Sequence, residues 1–515
     1  MTVASVKVKR APRAREPLAG PSVGETQSSR RFLIVTGTAA GLLFGWCVLI
    51  AHREWFVGDD FGFLSAAQVP KTWTLWKQTF LPFDKRLWWS YRPLTIQVFF
   101  RLGFLAFGLN PFGYLLVSVL VHFCSGAVLY RLALQLGFDR RVAAVTALLS
   151  LCRSPSLTEG FWISSFQHVG TQCFLLLTVS LFMDYAQRGR TGYQVASCVT
   201  LLLTLLSNEL GATLPLILLF ASLGENGFGA SVRGVLRSLF RVVPHFVITA
   251  VYLVLRLKLF GPVTLGLPLL YTPALGWHVL GNYWRYLLLP FDGSLLKLLV
   301  ASVLALGAVG SILAAGKACR PLFRWLARVD FLCVGWFAAA LLPFVGFVFV
   351  HPRFAINSEA SACLLFGSYL NVFWKLHARQ HARAVEVALI CLMIVAVPYG
   401  VLWKRANELQ GAPNKRLIEL IQTSYSNRPR GRCVVLLYGG DGLANAAEVE
   451  DLQFRTGNGS LLDVFYRDQR MKLLFHDVRW RLPAGVNGRS CLFFALKSGL
   501  QVEAAGPDLI GPQAG

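Results

Sequence analysis

Charge is scarce in this sequence. Charged residues make up 15% of it, against roughly 25% in an ordinary soluble domain. A chain of 515 residues could hold several soluble domains, but so little charge excludes that arrangement. Acids are the scarcer sign, 26 against 50 lysines and arginines. Signatures for soluble cofactors are missing too. There is no P-loop lysine motif, no G-x-G-x-x-G after a strand, no H-E-x-x-H and no serine in a nucleophile elbow. The eleven cysteines include no C-x-x-C or other metal-ligand spacing. An enzyme built on this chain would not take its activated donor from a soluble nucleotide held by such motifs.

What the sequence has instead is hydrophobic length. Hydrophobic residues make up 55%, in recurring runs of about 20, the length needed to cross the hydrocarbon of a bilayer. The runs are continuous rather than alternating, so they read as helices. The net charge of +24 is not a nucleic-acid footprint. The basic residues cluster in an N-terminal tail (Lys7, Lys9, Arg10, Arg13, Arg15, Arg30, Arg31) and in short loops between apolar runs, as expected for cytoplasmic loops. No basic-aromatic module accompanies them, so no nucleic-acid partner is expected.

Charge then orients the chain. Region 1–31 is a cytoplasmic basic tail, and Phe32–Ile50 is a retained first helix rather than a signal peptide, because Ala51-His52-Arg53 is not a small-residue cleavage site. Region 32–403 is the membrane domain, with an outer loop at 52–92 rich in tryptophan (Trp55, Trp73, Trp76, Trp88, Trp89), suited to the head-group level. Pro93–Leu109 has Arg101 at its middle and precedes a run ending in Asp139-Arg140-Arg141, so it is expected to be interfacial or re-entrant. Further runs at Val142–Cys152, Phe174–Tyr185, Val195–Ser207, Ala212–Leu223, Val243–Leu259, 295–315, Phe331–Val350, Ala362–Phe373 and 387–402 bring the total to about eleven crossings. The C-terminal part then lies outside. Region 404–502 reads as a small α/β domain, with a helix at Arg416–Thr423 and buried strands at Cys433–Tyr438 and Cys491–Leu496. Cys433 and Cys491 could pair there or stay as buried thiols. Region 503–515, rich in Gly, Pro and Ala, is expected to be disordered. The predicted fold class is an all-α polytopic membrane protein with a small extracytoplasmic α/β domain at its C-terminus.

The charges at the outer level ask for chemistry. Asp59 and Asp60 follow the first helix, Glu159 lies beyond the third crossing, and Glu209 sits between two apolar runs; Arg92, Arg256, Arg285 and Arg353 supply positive charge nearby. Ionisable groups at membrane depth are costly and mark function by default. Singly, Glu159 or Arg285 reads equally well as a cap or a structural ion pair, but two adjacent carboxylates repel and gain nothing as caps. One of them suits a general base, with its neighbour orienting the acceptor or a metal. Arginines nearby suit a phosphate leaving group. Together they point to glycosyl transfer from a polyprenyl-phosphate sugar at the outer membrane face. A divalent cation, if one takes part, falls to Asp59 and Asp60.

Asp59-Asp60-Phe61, Ser90-Tyr91-Arg92-Pro93-Leu94-Thr95 and Leu109-Asn110-Pro111-Phe112-Gly113-Tyr114 resemble the N-terminal half of the GT-C membrane glycosyltransferases. The likeness is to protein O-mannosyltransferases of the TMTC type and to bacterial relatives in the family 39 group. Ser154-Pro155 with Thr158-Glu159 and Trp162-Ile163 resembles their H-P-x-x-T-E-x-x-x-W-I stretch, and Leu206-Ser207-Asn208-Glu209-Leu210-Gly211 their L-x-K-E-x-G stretch. These matches keep the family's order over 55–215. The resemblance implies an inverting, mannosyltransferase-like enzyme with a dolichyl- or undecaprenyl-phosphate sugar donor. It implies Asp59 or Asp60 as the base, Arg92 on the donor phosphate, and Glu159 and Glu209 as supporting acids; Tyr91, His168, Arg256 and Arg353 are further candidates for contact with the substrate. Expected partners are the polyprenyl-linked sugar, the membrane, and a protein, lipid or glycan acceptor; the expected location is a bacterial inner membrane, active site to the periplasm. Two positions depart from the pattern: Arg153-Ser154-Pro155 stands where the family has a histidine before the proline, and Asn208 replaces a lysine. The TMTC helical repeats are also missing, which leaves the acceptor open. A transporter or flippase for a polyprenyl-linked or anionic substrate is the rival reading, and a non-catalytic scaffold a third. The long amphipathic outer loop, and hydropathy without an inverted repeat, favour the enzyme.

Overall fold

The computed structural model describes residues 23–68, 80, 91–153, 161–226, 231–260, 276–288, 302, 309, 320–346, 354–376, 411–425, 433–466, 471–479 and 491–505. Glu159, Arg353, the expected crossings at 295–315 and 387–402, and most of 69–90 lie outside them.

The chain opens with α1 (Val23–Ala51) and the short α2 (Asp59–Gln68). A π-helical turn, Pro93–Val98, continues into α3 (Phe99–Phe107). Together these cover Pro93–Phe107, about 22 Å at 1.5 Å per residue, short of a hydrocarbon core of about 30 Å. Next come α4 (Pro111–Gln135), α5 (Arg140–Leu151), α6 (Phe166–Arg188), α7 (Thr191–Ser207), α8 (Leu214–Asn226), α9 (Val232–Phe260), α10 (His278–Leu288) and α11 (Arg320–Leu341). A further helix, α12, covers 354–376. Starts are set by ordinary caps. Asn110 accepts from the Phe112 N–H at 3.1 Å with Pro111 at the first helical position, where a missing N–H costs nothing. Asp139 accepts from the Arg141 N–H at 2.9 Å to start α5.

Among the described residues, four helices are long and apolar enough to cross a membrane: Arg30–Ala51, Pro111–Gln135, Ile163–Arg188 and Val232–Lys258. Their outer surfaces are apolar. On α9, Val247, Val251 and Val254 are exposed, as are Leu42 and Leu49 on α1. Water would not tolerate so much continuous apolar surface, whereas lipid does. The protein is an integral, multi-pass membrane protein.

Several helices start earlier than hydropathy alone indicates. α6 begins at Phe166 rather than Phe174, α11 at Arg320 rather than Phe331, and α9 at Val232 rather than Val243. Arg233, Arg237 and Arg241, expected in a cytoplasmic loop, therefore ride on the first turns of α9. Arginine is a good helix former, and its long stem lets the charge reach the head groups.

Inside the bundle, polar side chains satisfy themselves locally. The hydroxyls of Thr146, Thr171, Thr178 and Thr204 each donate to the carbonyl four residues back, and the Thr178 and Thr200 hydroxyls meet across the α6–α7 contact at 2.9 Å. At the end opposite Asp59, Asp184 on α6 is ion-paired with Arg131 on α4 and with Arg188 at 3.2 Å.

The C-terminal part begins with α13 (Ala412–Tyr425), then β1 (Cys433–Tyr438), α14 (Ala446–Arg455), α15 (Ser460–Tyr466), β2 (Lys472–Asp477), β3 (Cys491–Lys497) and β4 (Gln501–Ala504). The sheet order is β2-β1-β3-β4, with β1 parallel to both neighbours and β4 antiparallel to β3. β1 and β3 are buried along nearly their whole length, as a parallel sheet covered on both faces must be. Val434, Leu436, Leu492 and Phe494 face the core shared with the helices. Cys433, Val435, Leu437 and Phe493 face the other side. Parallel register puts Cys433 opposite Cys491, and the two form a disulfide across a separation of 58 residues. β4 ends at Ala504, two residues past the expected edge of this region.

Candidate active site

The loop after α1 is fixed from both sides. Gly58 has φ +59°, a left-handed conformation that favours glycine, and it turns the chain into α2. Its N–H donates to the Arg455 carbonyl at 2.7 Å. The Asn414 side-chain amide donates to the carbonyls of Phe56 (3.0 Å) and Arg455 (2.7 Å). Trp55 stacks on Phe465 at 5.2 Å, and the Gln68 amide donates to the Val464 carbonyl at 3.2 Å. The C-terminal part thus clamps the segment that carries both aspartates.

The two aspartates occupy different surroundings. Asp60 is 1% exposed. One carboxylate oxygen accepts from the Ser164 N–H at 2.7 Å and from the Ser164 hydroxyl; the other accepts from the Val57 N–H at 2.9 Å. Burial pushes its pKa up to about 7, against the pull of these hydrogen bonds. Trp162 closes the corner by donating its indole N–H to the Val57 carbonyl at 3.2 Å. Asp60 ties α2 to the 3-10 turn Ile163–Ser165 ahead of α6. Asp59, at the first position of α2, is partly exposed, and its charge reaches Arg92.

Arg92 stands at the head of the π-helical turn. Its Nε and Nη2 donate to the two carboxylate oxygens of Glu209 at 2.7 and 2.6 Å, a two-pronged fork that lysine could not make. Its Nη1 donates to the Gln167 side chain. Arg256, on α9, comes within 3.9 Å of Glu209 and is 8% exposed, with a buried Nε that has no hydrogen-bond partner among the described residues. Burial acts to raise the Glu209 pKa, but the Arg92 and Arg256 guanidiniums outweigh it and hold the pKa at about 2. Tyr252, one helical turn before Arg256, donates to the Tyr91 carbonyl at 3.3 Å; the Tyr91 and Tyr252 rings lie 5.9 Å apart. Thr95 donates to the Ser207 carbonyl at 2.6 Å, holding the π-helical turn against the end of α7.

The structure therefore gathers Tyr91, Arg92, Glu209 and Arg256, with Asp59 in electrostatic reach. His168 is buried on the first turn of α6; its neighbour Gln167 is the residue that meets Arg92. Sequence reasoning missed Ser164, Gln167 and Tyr252. The signal for Tyr252 was available, a tyrosine four residues before an arginine on one helix face. Serine and glutamine carry no such signal. Among the described residues, no three or more His, Cys, Asp or Glu side chains come together in a way that could hold a metal ion.

No protein-family model matches the sequence, and no curated protein does. Solved structures do. ArnT from Cupriavidus metallidurans, bound to undecaprenyl phosphate, aligns over 95% of this chain and 100% of its own at 14% identity, with a TM-score of 0.53. The same protein in its apo state aligns over 87% and 90% at 13% identity, with a TM-score of 0.51. The fold is GT-C. At such identity the likeness lies in the backbone path. In this chain the segment after α1, the π-helical turn and the α7–α8 connection meet at one end of the helices, where Asp59, Arg92 and Glu209 stand.

Proposed function

We propose that this protein is an inverting glycosyltransferase that moves a sugar from a polyprenyl-phosphate donor to an acceptor hydroxyl at the extracytoplasmic face of the membrane. The observation that carries the reading is the shared carboxylate: Glu209 lies between two guanidiniums, so one positive charge is left over for an anion. Arg256 is the arginine with a donor to spare, and we assign it the donor phosphate. Arg92, forked onto Glu209 and Gln167, holds the position and contributes charge. Undecaprenyl phosphate bound to ArnT supports a polyprenyl phosphate as the carrier.

Asp59 is the base in this scheme. A carboxylate oxygen of Asp59 takes the proton of the acceptor hydroxyl while the acceptor oxygen bonds to the sugar carbon. The bond from that carbon to the phosphate oxygen breaks on the opposite face, and its electron pair leaves with the polyprenyl phosphate. Cationic groups fixed in advance stabilise that growing charge without having to reorganise. Asp60, occupied by three donors, keeps α2 in place. A divalent cation, if used, would fall to Asp59. Mannose is the sugar that the sequence resemblance favours, and a bacterial inner membrane with a periplasmic site is the proposed location.

The test compares Asp59→Asn with Asp60→Asn in proteoliposomes supplied with radiolabelled polyprenyl-phosphate sugar. Asp59→Asn should bind donor yet lose transfer by about 10³-fold, within the range of a general base. Asp60→Asn should keep most of its activity. Normal transfer by Asp59→Asn would sink the assignment.

A further inference from the structure

A second charged cavity lies outside this centre, at the outer end of α1. It has a volume of about 670 Å³ and is lined by His52, Arg53, Glu54 and Trp55 from the chain after α1, by Phe112 at the start of α4, and by Lys415 on α13. His52, Arg53 and Lys415 are exposed, whereas Glu54 is 4% exposed. Two of the exposed side chains of the cavity, Arg53 and Lys415, are cationic. Its walls are aromatic and fixed: the His52 ring sits edge-on to Phe112 at 5.5 Å, and Trp55 is held by its stack on Phe465. Pro111 has no N–H, and the Phe112 N–H is taken by Asn110, so recognition of an anion falls to the side chains.

Apolar side chains are exposed on the helices beside the cavity. Leu49 on α1 is 62% exposed and Leu105 on α3 is 69% exposed. Phe107, also exposed, packs over Gly113 on the first turn of α4. A cationic pocket at the head-group level above a lipid-facing apolar strip matches one chemistry, a phosphate head group with acyl chains below it. We propose that this cavity binds the head group of an anionic phospholipid of the outer leaflet. Arg53 and Lys415 approach the phosphate from opposite parts of the chain. Lys415 is next to Asn414, which bonds Phe56 and Arg455, so the bound lipid fastens the C-terminal part to the end of α1 beside the segment that carries Asp59. The site shares no residue with the Arg92–Glu209–Arg256 cluster, and its occupancy does not depend on the transfer reaction.

The full chain in detergent micelles, titrated with phosphatidylglycerol and read by native mass spectrometry, tests this. Arg53→Gln combined with Lys415→Gln should weaken phosphatidylglycerol binding by about thirtyfold, since each of the two basic residues near an anionic surface contributes about 1 kcal/mol. The charge-conserving pair Arg53→Lys with Lys415→Arg should retain it, which separates lost charge from a damaged fold. Arg92→Gln should leave it unchanged. Equal affinity in the parent and the Gln pair, equal affinity for phosphatidylcholine, displacement by inorganic phosphate at the lipid's own concentration, or an equal loss in Arg92→Gln would each overturn the proposal.

Discussion

Two corners at one end of the helices draw a carboxylate out of water, and they do it by opposite means. At the head of α2, Asp60 meets only neutral donors, two from Ser164 and one from Val57. At the head of the π-helical turn, Glu209 meets the fork of Arg92 with Arg256 close by. Both carboxylates lose water. Only the second gains full positive charges in exchange, so Asp60 titrates at about 7 and Glu209 at about 2. At Asp60 the neutral hydrogen bonds position the carboxylate without offsetting the cost of burying its charge, whereas at Glu209 two guanidiniums offset that cost. The first corner fits a mechanical tie, and the second fits a site prepared for anions.

The largest expected effect sets the two corners against each other through pH. Asp60 ionises in the unfolded chain near its ordinary 3.8 and in the folded chain at about 7. The unfolded state thus releases its proton first, and the folded state loses stability as pH rises across that window. The loss is on the order of 4 kcal/mol and levels off above pH 7. Glu209 acts in the opposite sense: its contribution is present above about 4.5 and disappears as pH falls towards 2. Denaturant unfolding of the parent and of Asp60→Asn in detergent from pH 4 to 8 should give curves that diverge as pH rises, the variant being the flatter. Parallel curves would mean that Asp60 is not the buried, uncompensated acid described here.

Glu209→Gln should have the next largest effect. It leaves two guanidiniums facing each other without a counter-charge, and breaking a buried pair from one side costs about 3–5 kcal/mol. With side chains 20% and 25% exposed, the lower end is expected, about 3 kcal/mol at neutral pH. Thermal unfolding in high salt should recover part of the loss, because the exposed share is screened; a variant as stable as the parent would show that the fork contributes nothing. Ser164→Ala should have the smallest effect. It removes one of the two Ser164 donors to Asp60 and leaves the backbone N–H, for about 1 kcal/mol. Since that hydroxyl pulls the Asp60 pKa down, its loss should also move the Asp60-linked titration to higher pH, which carboxyl NMR or the pH dependence of unfolding would detect.

Much of this was legible without coordinates. Helices could be read from apolar runs, and β1 from a continuous run of buried residues bounded by loop signals. Asp59 and Asp60 stood out because they are adjacent, and Arg92, Glu209 and Arg256 because they are charges beside apolar segments. That Arg92 and Glu209 are partners was not legible, since they stand 117 residues apart and either could have paired elsewhere. The disulfide was equally undecided: two cysteines in a small domain pair only if their strands align, and the parallel register of β1 and β3 aligns them. Ser164 and Gln167 gave no signal, because their side-chain types are common everywhere on a chain and acquire a role only by what folds against them.

The sequence by itself determined that this protein lives in a membrane, that it is built from helices with a small sheet appended, and which acids and arginines stand beside apolar runs. Those properties follow from sums over neighbouring residues, and hydropathy and loop charge are such sums. Tertiary structure decided the division of labour. It buried Asp60 among neutral donors and left Asp59 partly open near Arg92. It gave Glu209 to two arginines and set the C-terminal part as a clamp on the loop between them. A carboxylate's chemistry depends on its distance to charges and to water, and those distances are fixed only when segments far apart in the chain close on one another.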